Sequence, residues 1–207
     1  MANSSKIFDL MHKQLRKSFK NIESIKNVWK NTCSTALSSL NSLQNVAEQY
    51  HCILRCVRSQ SPDFMLVKRF PDIHERIQYK LIQEMELLIE KLQINIDELQ
   101  AILSKVHQQY VNSMAVYKKN AEHLPLDKIT EGTATWPSVA DMLEWLQDVD
   151  ALFNFLCENQ RQVLASVNYN NEELMQSLST KWKRGNRETE ESLENVLAHV
   201  SFFMADG

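Results

Sequence analysis

The first glycine in this chain of 207 residues is Gly132, and the first proline is Pro62. Three glycines and four prolines occur in all, against about 14 and about 10 at average usage. Tight hairpins, phosphate-cradling loops and dinucleotide folds need glycine for positive φ or close backbone approach. Such a chain is restricted to long helices, and an all-α fold is expected. The rest of the composition is that of an ordinary globular chain, 43% hydrophobic and 24% charged. No apolar run reaches the roughly 18 to 20 residues that span a bilayer. Ile7, Leu10 and Met11 are interrupted by Asp9 and His12, which is not the core of a signal peptide. Cys33, Cys52, Cys56 and Cys157 are too few to staple a chain of this size. An intracellular, reduced protein is the expectation.

The hydrophobic pattern divides the chain. Phe8, Leu15, Ile22, Trp29, Ala36, Leu43, Tyr50 and Val57 recur every seven residues. A weaker seam runs through Met11, Ser18, Ile25, Thr32, Ser39, Val46 and Ile53. Together they predict one helix over 4–58, or two collinear ones breaking near Ser18 to Asn21, packed in a bundle rather than zipped as a dimer. Ser61-Pro62-Asp63 and Phe70-Pro71-Asp72 then mark a turn and a helix start. The apolar Phe64-Met65-Leu66-Val67 between them should tuck against the bundle. A second helix, 72–121, carries Ile82, Ile89, Ile96, Leu103, Tyr110 and Tyr117 alternating with Met85, Leu92, Leu99 and Val106. Leu81, Leu88 and Ile102 widen that stripe, which calls for neighbours on more than one side. The expected layout is a rod-like hairpin of two long helices over 1–124, a linker over 125–137, and an acidic helical segment over 138–207 packing on the bundle. Within that segment one helix runs from Ser138 to Val167, burying Val139, Met142, Leu143, Leu146, Val149, Phe153, Leu156 and Val163. A short helix follows over 171–183, and Gly185 separates it from a last helix running from Arg187 to Met204.

The net charge of −3 hides a gradient. Residues 1–60 hold nine Lys/Arg against three Asp/Glu, residues 61–124 eight against nine, and residues 125–207 six against fourteen. Either the basic start pairs with the acidic end, or each faces a different partner. Lys6, Lys13, Arg16, Lys17 and Lys20 form one basic face, suited to RNA phosphate, an anionic membrane or an acidic protein surface, or simply to water. It lacks aromatic platforms for stacking bases.

Signals for chemistry are weak. There is no Gly-rich phosphate loop, no Gly-x-Ser-x-Gly elbow and no His-Glu-x-x-His. His51-Cys52 with Cys56 and an upstream Cys33 falls short of a four-ligand zinc set, and thiols on helices are commonly buried. No catalytic residue, metal or cofactor is expected. The densest local signal is Trp136 through Asp148. Ser138 and Asp141 have capping-box spacing, and Asp141, Glu144 and Asp148 share an acidic face with Trp145 beside it. Capping and core packing account for much of this run; otherwise an exposed Trp among acids can anchor an interface, and Trp136, Pro137, Asp141, Glu144, Trp145 and Asp148 are the candidate partner-binding residues.

The run Pro137-Ser138-Val139-Ala140-Asp141-Met142-Leu143-Glu144-Trp145-Leu146-Gln147-Asp148 resembles the signature of the AAA-ATPase-interacting ribosome maturation factors, the AIRIM family. Trp29 agrees with it, as do Phe70-Pro71-Asp72 followed by Glu75-Arg76, and Asn195 to Phe203 ending Val-Ser-Phe-Phe. The resemblance spans most of the chain, though residues 149–190 and the Cys52/Cys56 region show no match. It implies a non-catalytic helical subunit of a complex built around a pair of type II AAA+ ATPases. A second helical adaptor, a cyclin-dependent-kinase-interacting protein, would belong to the same assembly. The implied task is late cytoplasmic maturation of the large (60S) ribosomal subunit, with release of a placeholder factor, and also clearance of replication machinery from chromatin. The protein would therefore be found in cytoplasm and nucleus. The competing reading from the residues alone is a self-associating coiled-coil tether.

Overall fold

A computed structural model describes residues 2–58, 69–133 and 135–205, with the side chains of residues 2–4 excepted. The Ser61-Pro62 turn and the Phe64–Val67 stretch lie outside the described residues. Among the described residues the regular structure is helical, with no strand. We number the helices α1 (Ala2–Arg58), α2 (Ile73–Asn120), α3 (Leu126–Thr130), α4 (Val139–Ala165), α5 (Glu172–His199) and α6 (Ser201–Ala205), with a 3-10 turn over Ala121–His123. The two long helices expected from the heptads are both present, and α1 runs through Ser18 to Asn21 without a break. α2 starts where Phe70-Pro71-Asp72 predicts: the Ile73 amide bonds the Phe70 carbonyl, and Asp72 accepts from the Arg76 amide and side chain.

The chain forms two compact units, each assembled from separate stretches. One comprises residues 1–31, 98–158 and 185–207; the other comprises 32–97 and 159–184. In the first unit Met11, Leu15, Phe19, Ile22 and Trp29 of α1 are buried, as are Leu99, Ile102, Leu103 and Val106 of α2. α4 adds Val139, Met142, Leu143, Leu146, Val149, Phe153 and Leu156, all predicted, and α5 adds Leu193 and Leu197. Trp29 meets Phe153 edge to face, ring centres 5.6 Å apart, the geometry that aromatic quadrupoles favour. In the second unit Ala36, Leu40, Leu43 and Ala47 are buried together with Met85, Leu88, Leu92 and Ile96, and with Met175, Leu178 and Trp182. There the Trp182 indole N–H donates to the Cys33 carbonyl at 3.3 Å, and Arg55 Nη1 reaches both oxygens of Glu172 at 2.9 and 2.8 Å.

Of the weak second seam of α1 only Met11, Ser18 and Thr32 are buried. Phe19, Cys33, Leu40 and Ala47, four residues on from Leu15, Trp29, Ala36 and Leu43, are buried as well. Three rows are covered rather than two, which is a bundle face and not a zipper seam. The polar members of the seams are reconciled locally. Ser18 and Ser113 are both fully buried, and their hydroxyls lie 3.0 Å apart; Ser18 also reaches the Gln109 carbonyl at 3.4 Å. Ser113 continues the Met85, Leu92, Leu99, Val106 row by one further heptad, so a polar gap in α1 faces a polar gap in α2.

One helix boundary differs from expectation. Gly185 does not separate two helices: α5 continues through it to His199, and the break falls at Val200. A glycine inside a helix costs only about 1 kcal/mol relative to alanine. Met175, Leu178 and Trp182 before it and Thr189, Leu193 and Leu197 after it are all buried, and their three- and four-residue steps stay in register across it. The stripe outweighs the glycine.

The serine pair gives a quantitative test. Ser113→Ala alone should cost about 1 kcal/mol, the net worth of the one hydrogen bond it removes. Ser18→Ala with Ser113→Ala should cost no more than that single change, as read by urea denaturation. Fully additive losses would show that the two hydroxyls are not coupled.

Candidate functional site

The predicted partner-binding run and the basic face both lie in the first unit. Its entry is a tight connection. The Thr133 amide donates to the Trp136 carbonyl at 2.7 Å, and the Trp136 amide donates to the Thr133 hydroxyl at 3.0 Å. α4 then opens with a reciprocal capping box: the Asp141 amide donates to Ser138 Oγ at 3.0 Å, and the Ser138 amide donates to Asp141 Oδ2 at 3.3 Å. Two otherwise orphaned donors are satisfied by one pair of side chains. Gly132 packs directly on this cap. A Cβ at that position would lie 2.6 Å from the Ser138 nitrogen and 3.2 Å from the Pro137 carbonyl carbon. The glycine read as punctuation in the sequence is therefore a site of close backbone approach.

Trp136 reaches back to α1. Its ring meets His12 at 5.4 Å and Phe203 of α6 at 5.3 Å, both edge-on. Arg16 closes the cluster. Its guanidinium carbon sits 4.9 Å from the Phe203 ring centre and 5.7 Å from that of Trp136, and Nε donates to the Phe203 carbonyl at 2.9 Å. A cation over two aromatic faces and on a carbonyl of the terminal helix is held by several weak attractions at once. His12 also meets Phe8 at 4.3 Å. Burial in this apolar setting, and then the Arg16 charge, hold its pKa below the ordinary 6.5, with Asp9 opposing.

The candidate residues thus separate by role. Trp136 is half-buried in the cluster, Pro137 is buried, and the Asp141 carboxylate is engaged in the cap. Trp145 stacks on His199 with ring centres 5.2 Å apart. Pro137, Asp141 and Trp145 nevertheless line one open cleft of about 390 Å³ with Thr130, Gly132, Thr133 and His199. Glu144 and Asp148 are exposed on α4 with no side-chain partner among the described residues. On the basic face Lys6, Lys13, Lys17 and Lys20 are exposed, whereas Arg16 has turned inward.

The basic start of the chain pairs in part with its acidic end. Lys26 and Lys30 of α1 pair with Glu194 of α5 at 3.4 and 3.2 Å, and Lys30 also pairs with Glu190. Asp150 of α4 instead takes His107 of α2, at 2.9 Å. The first four lysines have no such neighbour among the described residues. His12 was not among the candidate site residues, and Phe203 entered only as the end of a stretch resembling the family. The available signals were the Phe8–His12 spacing of four and the apolar ending of the chain, and neither says what those rings meet. Among the described residues no three His, Cys, Asp or Glu side chains gather into a group that could hold an ion. His51 is buried, while Cys52 faces solvent.

Two outcomes follow from this geometry. Gly132→Ala should destabilise the protein by about 1–3 kcal/mol, the range for forced overpacking, and should perturb the near-ultraviolet dichroism of Trp136; an unchanged melting temperature would contradict the close approach. A histidine whose folded pKa lies below its unfolded value supports the fold fully above about pH 6.5 and loses that support as pH falls through the window beneath. The melting temperature should therefore drop between about pH 7 and pH 5, and His12→Gln should reduce that drop. An identical pH profile would reject it.

Comparison with known proteins covers nearly the whole chain. A sequence profile for the family described as "Ribosome biogenesis protein C1orf109-like" matches residues 9–202. A Xenopus tropicalis protein named "AFG2-interacting ribosome maturation factor" is 31% identical over 201 residues, covering 95% of each chain. Mouse and human proteins of the same name are 28% and 26% identical, covering 95% and 93% of this chain and 90% and 94% of their own.

Proposed function

The chain belongs to the C1orf109-like ribosome biogenesis family, and from that premise we propose that it is a non-catalytic adaptor for an AAA+ ATPase in ribosome maturation. The observation that carries this reading is near end-to-end similarity to proteins named for interacting with AFG2. The finer task is late cytoplasmic maturation of the 60S subunit, where the ATPase extracts a placeholder factor and returns it for reuse. A second task is replication-associated unfolding in the nucleus.

The surface of α4 supports the ATPase contact. Glu144 and Asp148 are solvated, while the opposite side of the same helix is buried in the first unit. An outward acidic pair beside the Trp145 cleft is suited to steering a basic surface of a partner, and charge at a rim acts chiefly on encounter rate and specificity. A second helical adaptor of the cyclin-dependent-kinase-interacting type would need an apolar seat. Tyr79, Leu87 and Ile94 of α2, each more than half exposed, are candidates for it, and they would equally seat a second copy of this chain. In this account pre-60S particles are engaged by the assembled complex.

Reversing the acidic pair tests the surface. Glu144→Lys with Asp148→Lys should weaken ATPase binding at least about tenfold, a loss of about 1.4 kcal/mol, without changing helicity. Equal affinity for the variant and the parent chain would rule out this face.

A further inference from the structure

The four outward lysines of α1 form a line rather than a scatter. At 100° per residue, Lys6, Lys13, Lys17 and Lys20 fall within an arc of about 60°, spread over about 21 Å of helix. All four are exposed. Ser24 shares the arc and Leu10 borders it, and both are exposed too. Asp9 borders the stripe, and Glu23 lies about 60° beyond Lys20. Among the described residues, none of the four lysines has an acidic neighbour of the kind that neutralises Lys26 and Lys30.

We infer that this stripe is a docking surface for the phosphate backbone of duplex RNA, bound without regard to sequence. Three observations favour that occupant. The charges are ammonium groups, which meet phosphate as point charges without geometric demands. The one guanidinium on this stretch of α1, the group suited to bidentate reading of guanine edges, is held by the Phe203 carbonyl and two rings. Phe8 sits against His12, and no aromatic side chain shares the arc, so a splayed single strand has no base platform. A surface with charge but neither base-edge readers nor stacking rings recognises the backbone alone. Membership of a ribosome biogenesis family makes RNA the anionic polymer at hand. The inference is independent of the ATPase contact, which uses α4.

The full chain, titrated with an arbitrary RNA duplex of about 20 base pairs and followed by fluorescence anisotropy, tests it. Four lysines, partly offset by Asp9, should give a slope of log K against log salt of about −3, so affinity falls roughly sixtyfold between about 50 and about 200 mM salt. Changing the duplex sequence should alter affinity less than about twofold. Lys13→Gln with Lys17→Gln should flatten the slope by about two. Lys118→Gln with Lys119→Gln, an equal charge change on exposed positions of α2, should leave it unchanged. The assignment is overturned if both double variants lose affinity equally or if duplex binding is insensitive to salt. It is also overturned if a single strand or polyglutamate binds as tightly as the duplex. ATPase binding by the Lys13→Gln/Lys17→Gln variant should be intact, which separates failure here from failure of the adaptor reading.

Discussion

Arg16 joins parts of the first unit that are far apart in the chain. Its guanidinium lies over Trp136 and Phe203 and bonds the Phe203 carbonyl, so α1, the entry to α4 and the terminal helix meet at one side chain. Trp136 can occupy that position because Gly132 lets the backbone fold onto the α4 cap. The acidic surface of α4 and the lysine stripe of α1 are displayed from elements that this cluster fixes. A cation that looks from sequence like part of the basic face is instead structural, and its withdrawal leaves a surface of lysines alone.

Much of the helical layout was legible in the residues. The α4 stripe from Val139 to Leu156 was readable because its apolar residues follow the 3.6-residue period; between Leu156 and Val163 the buried row passes through Gln160, which polarity conceals. The capping box was readable because it is local, with both partners within four residues. α1 was harder, since two rows of a bundle helix are equally compatible with heptad spacing and Ser or Thr in a row conceals its burial. Ser18 is buried against Ser113, 95 residues away, and bonds it. Gly185 misled because local propensity names a breaker, whereas the stripe running through it decides the outcome.

The site was legible in composition and not in direction. Trp145 can be read from the sequence as a packed side chain or an exposed anchor, and the structure stacks it on His199, while Trp136 packs with His12 and Phe203. Such partners come from the far ends of the chain, and no local pattern specifies them. Glu144 and Asp148, by contrast, stay on the solvent side, as their positions opposite the Leu146 stripe imply. The signature run therefore has two faces: the inward one builds the unit, and the outward one stays charged and solvated. That division suits an adaptor, whose binding surface has to be rigid without carrying out chemistry.

The central claim is that this chain works by joining an AAA+ ATPase. Light scattering on the purified full-length chain, alone and mixed with the AFG2-type ATPase, addresses that claim most directly. The account predicts a heteromeric particle whose mass exceeds that of the ATPase assembly by whole copies of this 24.1 kDa chain. A stable homodimer of the chain that leaves the ATPase peak unchanged would contradict it and favour a self-associating tether.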